Sequence, residues 1–155
     1  MKVDDTQRPE YFAFASHMLD ETYVHGASTK CLTALSDTGK IQGVVIYDHI
    51  TGTDCRLHVA SDGSRRWLSR EMLFWTFFVP FVQWNLRRIT GIVHERNMQA
   101  LKFDLNLGFV IEGRLRHTFD DGADGILLGM LREECRFLKF KPRKHHGQEK
   151  YQCQQ

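Results

Sequence analysis

The sequence predicts one α/β domain, of the α+β mixed-sheet kind, with helices on both faces of a mostly antiparallel sheet. Three observations predict it. Residues 31–60 alternate strand-forming runs with turn residues, which is the pattern of antiparallel strands in series. A very apolar helical run, Leu68 to Trp84, then leads to a strand at 88–95, which is a crossover and so makes two strands parallel. Residues 97–116 read as helix, glycine stop and strand in immediate succession.

The elements follow in order. Pro9 to Glu21 reads as a helix with proline in its first turn and Tyr11, Phe12, Ala15, Met18 and Leu19 on its apolar face. No first strand is evident before it. Residues 31–37 and 40–50 form a hairpin around Asp37-Thr38-Gly39-Lys40, and Thr51-Gly52-Thr53-Asp54 turns the chain into a central strand, Cys55–Ala60. A polar loop from Ser61 to Ser69 opens onto the apolar helix, whose residues are hydrophobic on most sides and so pack between layers. Pro80 is expected to end or kink that helix. At thirteen residues, Met72–Trp84 is too short to span a bilayer. Asn97 is a good N-cap, and Ala100, Leu101, Phe103, Leu105 and Leu107 give the next helix an apolar side. Gly108 supplies the left-handed residue that ends it. Strands at 109–119 and 126–134 complete the sheet, Gly113 hints at a bulge, and the loop Asp120–Gly125 reads as a turn rather than a calcium loop.

Composition bounds the rest. A chain of 155 residues with 42% hydrophobic and 26% charged residues suits one core, here residues 1–138, followed by a polar basic tail, 139–155. A net charge of +2 gives no general drive toward nucleic acid or anionic membrane. Cys31, Cys55, Cys135 and Cys153 have no metal-type spacing, and reduced thiols in a cytoplasmic setting are the simplest reading. No metal site is expected, and His145 and His146 read as tail residues.

Asn97, Ala100, Leu107-Gly108-Phe109, Glu112-Gly113 and Arg114, with Gly129 to Cys135 as a last strand, resemble the C-terminal half of the Gcn5-related N-acetyltransferases, the GNAT family. The resemblance covers roughly residues 40–138, and its nearest flavour is that of acetyltransferases carried by tailed phages, which would put the protein in a host cytoplasm. It implies an acetyl-CoA-dependent N-acetyltransferase that moves the acetyl group directly to an amine of a small molecule or protein; a homodimer is compatible with it. In such a fold the parallel strands splay, and acyl-pantetheine pairs with the exposed edge as an added strand would. Val59, Ala60 and Ser61 would form that edge, with Asn97, Ala100 and Phe103 opposite.

Two departures stand against the family pattern. The pyrophosphate loop, Arg/Gln-x-x-Gly-x-Gly/Ala, would place glycines at Ser69 and Glu71. Either Ser64, Arg65, Arg66 and Ser69 hold the phosphates by charge and hydroxyl instead, or cofactor binding is lost and the scaffold binds a host protein or nucleic acid. A plainer alternative has Ser69 as a helix cap beside solvated arginines. The family's tyrosine acid, seven residues after the asparagine, is Asp104 here; the plainer reading is a solvent-facing helix carboxylate, and it would donate a proton only if burial raised its pKa. Candidate bases are His58 on the central strand and His94 or Glu95 at the end of the parallel strand, although a strand histidine is more often a structural hydrogen-bonder. His117 would join them only if its register allowed.

Overall fold

A computed structural model describes residues 1–140. Seven strands form one sheet in the order β1-β2-β3-β4-β5-β7-β6. They are β1 (Lys2–Asp4), β2 (Lys30–Leu35), β3 (Ile41–Asp48), β4 (Arg56–Ser61), β5 (Arg88–His94), β6 (Val110–Leu115) and β7 (Gly125–Leu131). All neighbours are antiparallel except β4 and β5. The helices are α1 (Pro9–Leu19), α2 (Arg70–Phe78) and α3 (Met98–Leu107). This is the mixed sheet with one parallel pair that the sequence predicts.

Period-two alternation divides the core into two layers. Val44 and Ile46 of β3 point to α1, where they join Tyr11, Phe12, Ala15, Tyr23 and Ala60. Val45 and Tyr47 point the other way, into a larger cluster with Met72, Phe77, Phe81, Ile89, Leu128 and Met130. The Tyr47 hydroxyl, fully inside, donates to the Thr76 carbonyl at 2.7 Å, so the buried phenol is satisfied.

The structure departs from the sequence expectations at four places. A first strand does exist: β1 pairs with β2 from Lys2↔Leu35 to Asp4↔Thr33. Three residues are too few to show alternation, and aspartate is a poor strand former. Asp4 is held there by tertiary bonds, accepting from the Tyr11 hydroxyl at 2.7 Å and the Thr6 N–H at 2.9 Å. The α-helix ends at Phe78, just before Pro80 as expected, but the chain stays helical there. After Phe78 it widens into a single π turn, Val79–Gln83, closed by Trp84 N–H to the Val79 carbonyl at 3.0 Å. A proline ring that crowds the preceding turn and lacks an N–H accounts for the widening. Leu105 and Met18, counted with the apolar faces, are instead exposed. The closing strands are shorter than expected. β6 stops at Leu115 and β7 at Leu131, and the chain then continues in two short 3-10 turns, Arg132–Glu134 and Arg136–Lys139. Lys139 ends the second of these turns, and Phe140 packs edge-on to Phe137. The remainder of the expected tail, from Lys141, with His145, His146 and Cys153, lies outside the described residues.

The register break between Ile111 and Gly113 is the expected bulge. It turns Glu112 across β7 to meet Arg88 of β5 in a two-point ion pair, at 2.5 and 3.1 Å. Gly129 of β7 lies beneath this pair, and a side chain there would collide with the Glu112 carboxylate.

Candidate functional site

The parallel pair barely pairs. Arg56↔Thr90 is its one registered position, with Thr90 N–H bonded to the Cys55 carbonyl at 2.8 Å. Beyond it β4 and β5 diverge, so β4 from Leu57 to Ser61 presents an edge without a strand partner on that side among the described residues. Val59, Ala60 and Ser61 lie on that edge.

The loop beyond β4 is held by its own bonds. Asp62 Oδ1 accepts from the Ser64 N–H at 2.9 Å and from the Ser64 hydroxyl at 2.5 Å. These two bonds, the hydroxyl and amide of Ser64, hold the Asp62 carboxyl below its usual range. Ser69 is the α2 N-cap and accepts from the Met72 N–H at 3.0 Å, so the capping alternative describes its geometry. The Arg65 and Arg66 side chains are exposed and have no ion-pair partner within 4.0 Å among the described residues.

Trp67 is the residue that sequence reasoning missed. It is 7% exposed and lies over Gly43 of β3, where an added Cβ would come within 2.7 Å of the Trp67 side chain. Its ring is 6.0 Å from Phe103 of α3, so it joins the loop to the helix across the open end of the parallel pair. A glycine in the middle of a strand signals close approach by another group, and Gly43 carried that signal.

On α3, Asn97 Oδ1 accepts from the Ala100 N–H at 3.1 Å, and Gly108 closes the helix at φ 109°. Ala100 and Phe103 pack partly buried against the main core. Asp104 is half-buried, and desolvation lifts its carboxyl to about 6.

The candidate bases separate clearly. His58 points to the α1 side, and its Nε2 is 2.8 Å from Asp48 Oδ1. Burial works to raise Asp48, but hydrogen bonding and charge from His58, then His49, outweigh it and hold the carboxyl below its usual value. An ionised carboxylate only accepts, so in the neutral ring the proton facing it sits on Nε2, and Nδ1 has no hydrogen-bond partner among the described residues. The Tyr23 ring lies 5.5 Å from the His58 ring, while its hydroxyl donates to Glu21 at 2.7 Å. His94 has both nitrogens engaged: Nε2 with Asp121 at 2.8 Å, and Nδ1 with the Arg96 N–H at 3.1 Å. Glu95 is bonded to Arg114 at 2.8 Å, which also holds Asp124 at 3.1 Å. His117 lies beyond the strand, exposed and at φ 54°, with its N–H bonded to Asp124. Cys31 and Cys55 are buried thiols that desolvation pushes up to about 12, and Cys135 moves the same way, so none is a ready nucleophile.

A pantetheine arm would lie along the open edge of β4. The phosphates of a coenzyme would meet the exposed Arg65 and Arg66 guanidinium groups beside it rather than a glycine cradle.

No protein-family model matches the chain, and no curated protein sequence does. Solved structures do share the fold. A point mutant of spermidine N-acetyltransferase SpeG from Vibrio cholerae superposes with a TM-score of 0.72 at 16% identity, over 90% of this chain and 98% of the other. A chimera of that enzyme and hSSAT gives 0.71 at 15% identity, over 86% and 98%. The dodecameric spermidine N-acetyltransferase of Vibrio cholerae, in an intermediate state, gives 0.63 at 18%, over 70% and 68%. The fold is that of these N-acetyltransferases, and no helix among the described residues is long and apolar enough to cross a membrane.

Proposed function

We propose that the protein is an acetyl-CoA-dependent N-acetyltransferase that passes the acetyl group directly to an amine. The observation that carries the reading is the splayed β4–β5 pair, open from Leu57 to Ser61, beside a half-buried histidine on the α1 side whose Nδ1 has no hydrogen-bond partner among the described residues. Acetyl-CoA supplies an activated thioester; the amine nitrogen bonds to its carbonyl carbon as the carbon–sulfur bond breaks.

The chain's residues supply the positions and the protons. The β4 edge from Val59 to Ser61 orients the pantetheine amides, and a strand N–H there would steady the carbonyl oxygen. Arg65 and Arg66 hold phosphate charge, with Ser64 and Ser69 fixing the loop between them. Asn97, Ala100 and Phe103 wall the opposite side. His58 Nδ1 takes the proton that the amine must lose. Asp104 gives a proton to the departing sulfur; with burial holding the carboxyl near 6, about one in ten is protonated at pH 7. Base and acid serve different atoms, so a contact between them is not required.

Spermidine, the acceptor named for the structural neighbours, is the first amine to try. Release of free thiol from acetyl-CoA, followed with spermidine, lysine peptides and small amines, tests the reading. Turnover with at least one amine, lost in His58→Gln, is expected. A protein that binds acetyl-CoA but releases no thiol with any of them would be a binding module. The internally bonded loop and its lack of the family glycines are the observations that favour that second reading.

A further inference from the structure

The reading of His58 as base leads to its neighbour at the end of β3. Ile46 and His58 are cross-strand partners, so Asp48, two residues on, shares their face and lies diagonally from the imidazole. Its side chain is 15% exposed. One oxygen, Oδ1, is 2.8 Å from His58 Nε2 and 3.2 Å from His49 Nδ1. His49 adopts φ 48°, a left-handed backbone that non-glycine residues seldom take and that concentrates at functional positions. A carboxylate touched by two imidazoles, one of them on a strained backbone, exceeds what closing a hairpin end requires.

We infer that Asp48 is the positioning residue of this site. It fixes the His58 proton on Nε2 and so selects Nδ1 as the atom that meets the acceptor. When Nδ1 takes the amine proton, the ring becomes an imidazolium whose charge faces the Asp48 carboxylate; the proton later passes to water and the neutral base returns. The other titratable or charged groups about this pair are His49, Arg56 across from Asp48 on β4, and Glu21 and Tyr23 in the segment after α1. Burial, then Glu21 and Asp48, push the Tyr23 phenol well above its ordinary value, so it stays protonated and neutral beside the ring.

The inference rests on the acetyltransferase reading for its chemistry, but one test does not need turnover. Nitrogen chemical shifts of labelled imidazoles, taken above the histidine titration range, report which nitrogen holds the proton. The wild type should show His58 wholly in the Nε2–H form, and Asp48→Ala should let a minor Nδ1–H population appear beside it. An unchanged tautomer in Asp48→Ala would overturn the inference whether or not the protein transfers acetyl groups. With an active amine in hand, Asp48→Asn should lower kcat about 10- to 100-fold while KM for acetyl-CoA stays within about 3-fold. The acid limb of its pH–rate profile should move to lower pH, because an imidazolium without its carboxylate loses its proton more readily. Asp48→Glu should recover part of the rate. Equal kcat in Asp48→Asn, or an unmoved acid limb, would show that the carboxylate only closes the hairpin.

Discussion

Each of the two splayed strands carries a histidine–aspartate pair: His58 with Asp48 on the β4 side, His94 with Asp121 on the β5 side. In both, Nε2 stands 2.8 Å from the carboxylate and the histidine side chain is 24% exposed. What differs is the second nitrogen. The Arg96 N–H fills Nδ1 of His94, and the Arg96 guanidinium also grips Asp121 at 2.8 Å. The His94 hydrogen bond, then the Ala123 N–H, hold Asp121 below its usual value, so this pair is a staple that ties the end of β5 to the β6–β7 hairpin. Nδ1 of His58 has no such partner among the described residues. The same two side chains at the same distance thus make a fastener on one strand and a candidate base on the other. The atom that decides is a backbone N–H.

The largest effect should come from the histidines themselves. His58→Gln is expected to lower kcat at least about 100-fold, and His94→Gln to change it less than about 3-fold; thiol-release kinetics measure both, and equal losses would erase the contrast. Removal of the loop charge comes next. Arg65→Ala with Arg66→Ala should weaken acetyl-CoA about 10-fold or more, yet leave a pantetheine-only thioester nearly unaffected, by calorimetric titration of each ligand. Equal losses for both ligands would take the phosphates away from this loop.

Asp104→Asn should separate stability from activity. The folded carboxyl titrates near 6 and the unfolded one near 3.8, so the folded state holds the extra proton. Stability from this group is complete below pH 3.8 and is lost as pH rises through 6. The amide should therefore stabilise the protein at pH 8 by about 1 to 2 kcal/mol, less than the full shift implies because solvent screens a half-buried group, and by little at pH 4. Denaturant melts at the two pH values measure this, and a lower kcat in the same variant is expected if Asp104 donates the proton. The smallest change belongs to the staple: Asp121→Ala should lower Tm by only a few degrees, read in a thermal melt, with kcat unchanged.

Much of this contrast was written in the chain, and part of it was not. The Asn97 cap, the Gly108 stop and the Gly113 bulge depend on local backbone chemistry, so they are legible in residues 97–116 alone. The parallel pairing of Cys55–Ala60 with the 88–95 strand followed from strand types and a crossover, whereas their splay was implied only by the family resemblance. Asp48 was hidden because its partner is ten residues away across a hairpin, and only register shows that the two share a face. His94 looked as eligible as His58, since a backbone N–H that fills a ring nitrogen leaves no trace in residue type. Trp67 read as part of a polar loop; only the missing Cβ of Gly43 marked where it would pack. β1 was invisible for a related reason, because its three residues are ordered by Tyr11 and β2 rather than by their own pattern.

The central claim is that the opening beside β4 receives acetyl-CoA although its loop lacks the family glycines. Calorimetric titration of the full chain with acetyl-CoA, beside a thermal-shift scan, tests it most directly. The account predicts micromolar binding at one site per chain and a melting temperature that rises with ligand concentration, as linkage requires for a ligand of the folded state. No heat and no shift at millimolar acetyl-CoA would contradict it.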